Sequence, residues 1–262
     1  MNTYLVKSYL SYLFQSKYKK GYGLHSPFVF ELVRDLIGDR HHYYIFESIK
    51  AYRKQLMKSK QVISMTDYGA GSTEFNKKER RVSDLVFKSS MQPRYGELLF
   101  RLANHFKPNC ILELGTSIGI STAYLARHNS ASKVYTIEGC ENTAAFAAKT
   151  FISLKCPNVN QIVGQFKDVL PELVASMDQL DMVFFDGHHE KQATIDYFNI
   201  CLPKAGNNSI FIFDDIHWSK GMYDAWKIIC DHPKVTVSLD LFQIGIIFFR
   251  KECQKQHFVV SY

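Results

Sequence analysis

The segment Cys110–Arg127, CILELGTSIGISTAYLAR, constrains the fold more than any other stretch of this chain. Ile111, Leu112 and Leu114 read as a buried strand, and Gly115 and Gly119 mark a turn. The apolar residues beyond recur at helical spacing. A strand, glycine turn and helix in succession leave backbone N–H groups and a helix N-terminus at the end of a sheet. A nucleotide-like ligand docks at such a place. A glycine turn alone is a weak signal. It is strengthened by Lys133–Glu138 (KVYTIE), a second strand that ends in a carboxylate a little over twenty residues after Gly115. A carboxylate there can accept both hydroxyls of a ribose.

From Pro93 onward the pattern is regular. Strands are expected at 110–114, 133–138, 159–163, 180–185, 208–213, 235–240 and 244–250. Helices are expected at 95–106, 119–128, 141–154, 171–177, 190–201 and 219–231. Alternating strands and helices give a doubly wound, mostly parallel α/β sheet of seven strands, Rossmann-like, with an antiparallel hairpin at its C-terminal edge. Residues 91–262 are read as this domain.

Residues 1–90 are read as a basic, aromatic-rich helical extension and a candidate substrate lid. Leu5, Val6, Tyr9, Leu10, Leu13 and Phe14 follow helical spacing, and Gly21–Gly23 breaks it. Ser26-Pro27 then supplies a cap and a first helical residue. A helix over Phe28–Ile37 and another over Tyr43–Lys60 follow. Asp67–Ser72 (DYGAGS) resembles a second glycine fingerprint, but TEFNKKERR follows it where an apolar helix should start. A substrate-covering loop or a linker fits that context better.

No run approaches the ~20 apolar residues of a membrane span. No leader-type segment is evident, and the six cysteines contain no C-x-x-C pair, so a reduced, cytoplasmic protein is expected. Residues 1–110 carry a charge of +10 and residues 111–262 carry −3. The basic half suits a solvated lysine-rich surface, with an acidic partner such as nucleic acid as the alternative.

Ligands of such sheets sit at the carboxyl ends of the strands. Those ends carry Glu113–Gly115, Glu138, GQFKD (164–168), DGHH (186–189) and DDIHW (214–218). Together with ELGTSIG (113–119), the YGELL helix (95–99), GQFKDVLPEL (164–173), LDMVFFDG (180–187) and FIFDD (211–215), they identify a resemblance. The chain is similar to class I S-adenosylmethionine-dependent methyltransferases of the catechol and caffeoyl-CoA O-methyltransferase branch. The resemblance covers about residues 90–250.

It implies S-adenosyl-L-methionine as cofactor and a small hydroxylated molecule as acceptor. Carried over by position, Glu113, Gly115, Thr116, Ser117, Gly119 and Ser121 would line the methionine and ribose part of the cofactor. Glu138 would hold the ribose hydroxyls, Gln165, Phe166 and Lys167 would lie near the adenine, and Asp186 near the methionine end. Asp186, Asp214 and Asp215 match the branch's ligands for Mg²⁺ or another divalent cation, which would lower the pKa of a substrate hydroxyl. The branch usually has Asn where Asp215 stands. The alternative is that Asp214 or Asp215 caps the next helix or pairs with a histidine. Where catechol methyltransferases carry their lysine base, this chain has His189, a candidate general base alongside Asp186. His188 and His217 are rivals, or they only shape the loops.

Two further readings stay open. One is an RNA methyltransferase. The other is a non-catalytic scaffold acting through the N-terminal helices, which would otherwise pack on the main domain or form a homodimer contact.

Overall fold

In a computed structural model, residues 3–16, 23–65, 79–88 and 90–262 are described. The DYGAGS stretch lies outside these residues. The chain divides into two compact units, Met1–Arg40 with Met177–Tyr262, and His41–Ser176.

The first unit begins with helix α1 (Thr3–Gln15) and a short α2 (Pro27–Glu31) that continues as a π-helical turn over Leu32–Ile37. Ser26 caps α2 as expected: its Oγ accepts from the Val29 N–H at 3.4 Å, and Pro27 occupies the first turn, where no N–H is missed.

The second unit opens with α3 (Tyr44–Leu56), strand β1 (Val62–Ser64), strand β2 (Glu79–Arg81) and α4 (Val82–Lys88). The β1–β2 antiparallel pair and α4 were not anticipated; each is too short to show a period. Arg53 of α3 ties this region together, donating to Val86 O at 2.7 Å, to Met91 O at 3.0 Å and to Ser90 Oγ. Helix α5 (Pro93–Phe106) buries Tyr95, Leu98, Leu99, Phe100, Leu102 and Ala103, each large side chain contributing about 1.5–3 kcal/mol. A Cβ on Gly96 would lie 2.4 Å from the Tyr124 ring, so only glycine lets the helices approach this closely.

The unit continues with β3 (Cys110–Leu114), α6 (Ile120–Ala126), β4 (Lys133–Glu138), α7 (Glu141–Ser153), β5 (Val159–Val163) and α8 (Phe166–Ala175). Strands β3, β4 and β5 pair in parallel, in that order. Helix α8 starts five residues before the expected Pro171, which therefore sits inside it and forfeits one internal hydrogen bond.

The first unit resumes with β6 (Leu180–Phe185), α9 (Lys191–Cys201), β7 (Ala205–Phe213), α10 (Lys220–Asp231), β8 (Val237–Asp240), β9 (Gly245–Phe248) and β10 (Gln256–Val259). Its strands run in the order β10-β8-β9-β7-β6. The expected hairpin forms: β9 is antiparallel to both β8 and β7. The expected count of seven strands is corrected to eight, because β10 adds a parallel edge to β8. QHFV hides in the sequence because only Phe258 of its four residues is buried. Met182–Phe185 and Ile210–Phe213 are buried on both faces, as parallel strands covered by helices must be.

Candidate functional site

In the His41–Ser176 unit the loop after β3 folds back over β4. The N–H groups of Gly115 and Thr116 both donate to Ile137 O, at 3.1 and 3.2 Å. The path requires left-handed backbone at Gly115 (φ 105°), Ser117 (φ 47°) and Gly119 (φ 82°). Glycine meets that requirement at no steric cost. A Cβ at Gly119 would also lie 2.7 Å from the Phe151 ring. Ser117 bears the strain beside a compensating contact: its N–H donates to Glu138 Oε2 at 2.8 Å. Glu138 Oε1 accepts from the Cys140 N–H at 3.0 Å. Two backbone donors therefore fix a half-exposed carboxylate at the carboxyl end of β4, against the glycine loop.

Glu113 behaves differently. It is fully buried, and its Oε2 accepts from Thr136 Oγ1 at 2.6 Å and from Thr122 Oγ1. Burial pushes its carboxyl up to about 7; the nearby hydroxyls of Ser121, Thr122 and Thr136 favour the ionised form without cancelling that effect. Its buried Oε1 has no hydrogen-bond partner among the described residues. Thr116 Oγ1 lies 2.6 Å from Thr136 Oγ1. The expected cofactor residues thus form two layers. Gly115, Ser117, Glu138, Gln165 and Phe166 are partly exposed, whereas Glu113, Thr116, Gly119 and Ser121 are buried behind them. Thr122 and Thr136 escaped sequence reasoning; the available signal was a hydroxyl at otherwise apolar buried positions.

In the unit containing Met177–Tyr262, the ends of β6 and β7 bring carboxylates together. Asp214 is buried beside Asp186, and Gln243 Nε2 donates to Asp214 Oδ1 at 3.3 Å. Burial, then repulsion from Asp215, holds Asp214 well above the usual carboxylate range. Asp215 turns out of the strand in left-handed backbone (φ 55°), which lets neighbours on one strand approach one cluster. Burial raises its carboxyl too, opposed by His189. His189 Nε2 stands 3.9 Å from both Asp186 Oδ1 and Asp215 Oδ2. Among the described residues, no group of three or more His, Cys, Asp and Glu side chains is arranged to hold a metal ion. Asp186, Asp214 and Asp215, the expected ligands, do not form a ready ligand set.

The other two histidines are occupied. His217 is buried, with Nε2 2.8 Å from Asp240 Oδ2 and Nδ1 2.6 Å from Ser8 Oγ, and its ring stacks on Phe242. His188 lies 3.3 Å from Tyr197 Oη and 3.5 Å from Glu190. Trp226 is buried over Gly245, whereas Trp218 is half exposed.

Residues 112–216, which hold both strand-end groups, match the family described as "Methyltransferase domain". The chain is 35 % identical over 102 residues to a transmembrane O-methyltransferase homolog of Rattus norvegicus, covering 37 % of this chain and 40 % of that protein. It is 31 % identical over 130 residues to a catechol O-methyltransferase of Niastella koreensis, covering 48 % and 58 %. The match thus spans only two fifths of the rat relative's length. No helix among the described residues is long and apolar enough to cross a membrane. In fold the chain resembles an O-methyltransferase from Bacillus cereus in complex with SAH (TM-score 0.56, 19 % identity, 84 % of this chain and 96 % of that one). It also resembles a caffeoyl-CoA O-methyltransferase-like protein from Staphylococcus aureus (TM-score 0.54, 20 % identity, 61 % and 85 %). Over residues 112–216 the chain therefore matches the methyltransferase-domain family model, and in sequence it is similar to catechol and transmembrane O-methyltransferases.

Proposed function

We propose that the chain is an S-adenosylmethionine-dependent O-methyltransferase acting on a small hydroxylated acceptor. The observation that carries this reading is the half-exposed Glu138 carboxylate, aimed by the Ser117 and Cys140 N–H groups beside the glycine loop. That donor set fits a ribose, whose adjacent hydroxyls both need an acceptor. Gly115 and Ser117 would face the methionine part, and Gln165 and Phe166, at the start of α8, the adenine. The buried contacts Glu113–Thr122, Glu113–Thr136 and Thr116–Thr136 hold the loop in place.

The cofactor supplies an electrophilic methyl group on sulfonium sulfur. The chain's own task is to free the acceptor oxygen of its proton. His189 is the candidate: it is partly exposed, it stands between Asp186 and Asp215, and both carboxylates stabilise the imidazolium formed when Nε2 takes that proton. Most of the remaining acceleration would come from positioning. The three crowded carboxylates also motivate a metal-assisted version, in which a divalent cation would relieve their repulsion.

The test is incubation of the full chain with S-adenosylmethionine and a panel of catechols, phenols and aliphatic alcohols, following S-adenosylhomocysteine release with and without Mg²⁺ after chelation. Acceptor-dependent release supports the proposal, and its loss on chelation supports the metal-assisted version. Cofactor binding without release on any hydroxylated acceptor would contradict O-methylation.

A further inference from the structure

Helix α1 is built the wrong way round for a helix that covers a core. Its hydroxyl-bearing side faces inward. Tyr12 is buried; its Oη donates to Val260 O at 2.6 Å and accepts from the Tyr262 N–H at 3.1 Å. Ser8 meets His217 at 2.6 Å, and the rings of Tyr9 and Tyr12 pack on Phe242 at 4.9 and 5.2 Å. The apolar side faces outward: Leu10 is 50 % exposed, Leu13 47 % and Phe14 82 %, with Tyr9, 46 % exposed, at its edge against Phe242. At about 100° per residue these four lie within an arc of roughly 140°, a continuous apolar stripe of the width normally turned to a core. Helix α10 shows the usual arrangement in the same unit, burying Met222, Ala225, Trp226 and Ile229.

A stripe of clustered aromatic and leucine side chains left in water marks a binding surface. The charge carried by the neighbouring sequence selects the occupant. Between Met1 and Phe30 the sequence has Lys7, Lys17, Lys19 and Lys20 and no Asp or Glu. A second copy seated on this face would bring two such lysine sets together. An anionic lipid surface attracts them instead, at about 1 kcal/mol for each lysine near the headgroups. With thirteen residues, α1 spans about 20 Å, too short to cross a bilayer but suited to lying in its interface. We propose that α1 docks flat on an anionic lipid surface through Leu10, Leu13 and Phe14, held to the protein by its Ser8 and Tyr12 side. This would give the enzyme access to hydroxylated acceptors that partition into the interface, but the docking does not depend on the catalytic reading.

The test is flotation of the full chain with vesicles of phosphatidylcholine alone and of phosphatidylcholine with about one third phosphatidylserine. The expected result is capture by the anionic vesicles, weakened by high salt and by Lys7→Glu, with little capture by the neutral ones. The triple variant Leu10→Ser, Leu13→Ser, Phe14→Ser should keep the parent's thermal melt, since all three side chains are exposed, and lose capture by about tenfold or more. Absence of parent binding to anionic vesicles at about 0.1 M salt would overturn the proposal. So would equal capture of a normally melting triple variant. A parent dimer in light scattering that the triple variant converts to a monomer would assign the face to a second copy and also overturn it.

Discussion

Glu138, at the end of β4, is oriented by two backbone N–H groups, whereas Asp214, at the end of β7, is buried against two other carboxylates. The first arrangement stabilises an anion and keeps it available, because backbone donors neither move nor titrate. The second disfavours charge on Asp214, through burial and the repulsion of Asp215. The two strand ends share an acidic composition and differ in what the backbone does around them. That difference underlies the proposed division of labour, in which Glu138 binds and the acidic cluster with His189 handles a proton.

His189→Ala should lower turnover by about 10²–10⁴-fold while leaving cofactor affinity unchanged, since it acts only on the acceptor proton. Parallel kinetics and calorimetry check this, and equal loss of both would mean that the acidic end belongs to cofactor binding. Next is Glu113→Gln. The folded-state carboxyl sits at about 7 against an ordinary 4.5, so the folded state binds the proton more tightly. Its contribution is full below pH 4.5 and is lost as pH rises through 7, about 3 kcal/mol in all. Urea melts at pH 5 and pH 8 should show the parent losing that much relative to the variant. A constant difference would place the charge elsewhere.

Gly119→Ala forces a Cβ onto a φ of 82° and toward Phe151, and should cost about 2 kcal/mol, read as a lower Tm. Ser8→Ala removes one hydrogen bond to His217 and should cost about 1 kcal/mol, read as faster proteolysis at α1 with unchanged cofactor affinity.

The parallel core was legible residue by residue. The expected strands 110–114, 133–138, 159–163 and 180–185 have the observed bounds, because each is a short β-prone segment rich in Val, Ile, Leu or aromatic residues between glycine, proline or polar turns. Ser26-Pro27 announced α2 for an equally local reason. Elements without local signal were missed: β10 has one buried apolar residue, and α8 begins at Phe166 with no strong cap ahead of it. At the site, the glycine turn and Glu138 could be read because strand, turn and acid have fixed spacing. Burial could not be read. ELG does not show that Glu113 points inward to Thr122 and Thr136, and DDIHW does not show that His217 is bound between Ser8 and Asp240, residues far away in the chain.

We propose that Glu138 is the ribose-binding carboxylate of an S-adenosylmethionine site. It is tested most directly by isothermal titration of S-adenosylmethionine into the parent and into Glu138→Ala. The account predicts saturable one-site binding to the parent and a loss of about 3 kcal/mol, roughly 150-fold, in the variant, as expected for two hydrogen bonds to a charged acceptor. Equal affinity for both proteins, or no binding to a folded parent, would contradict it.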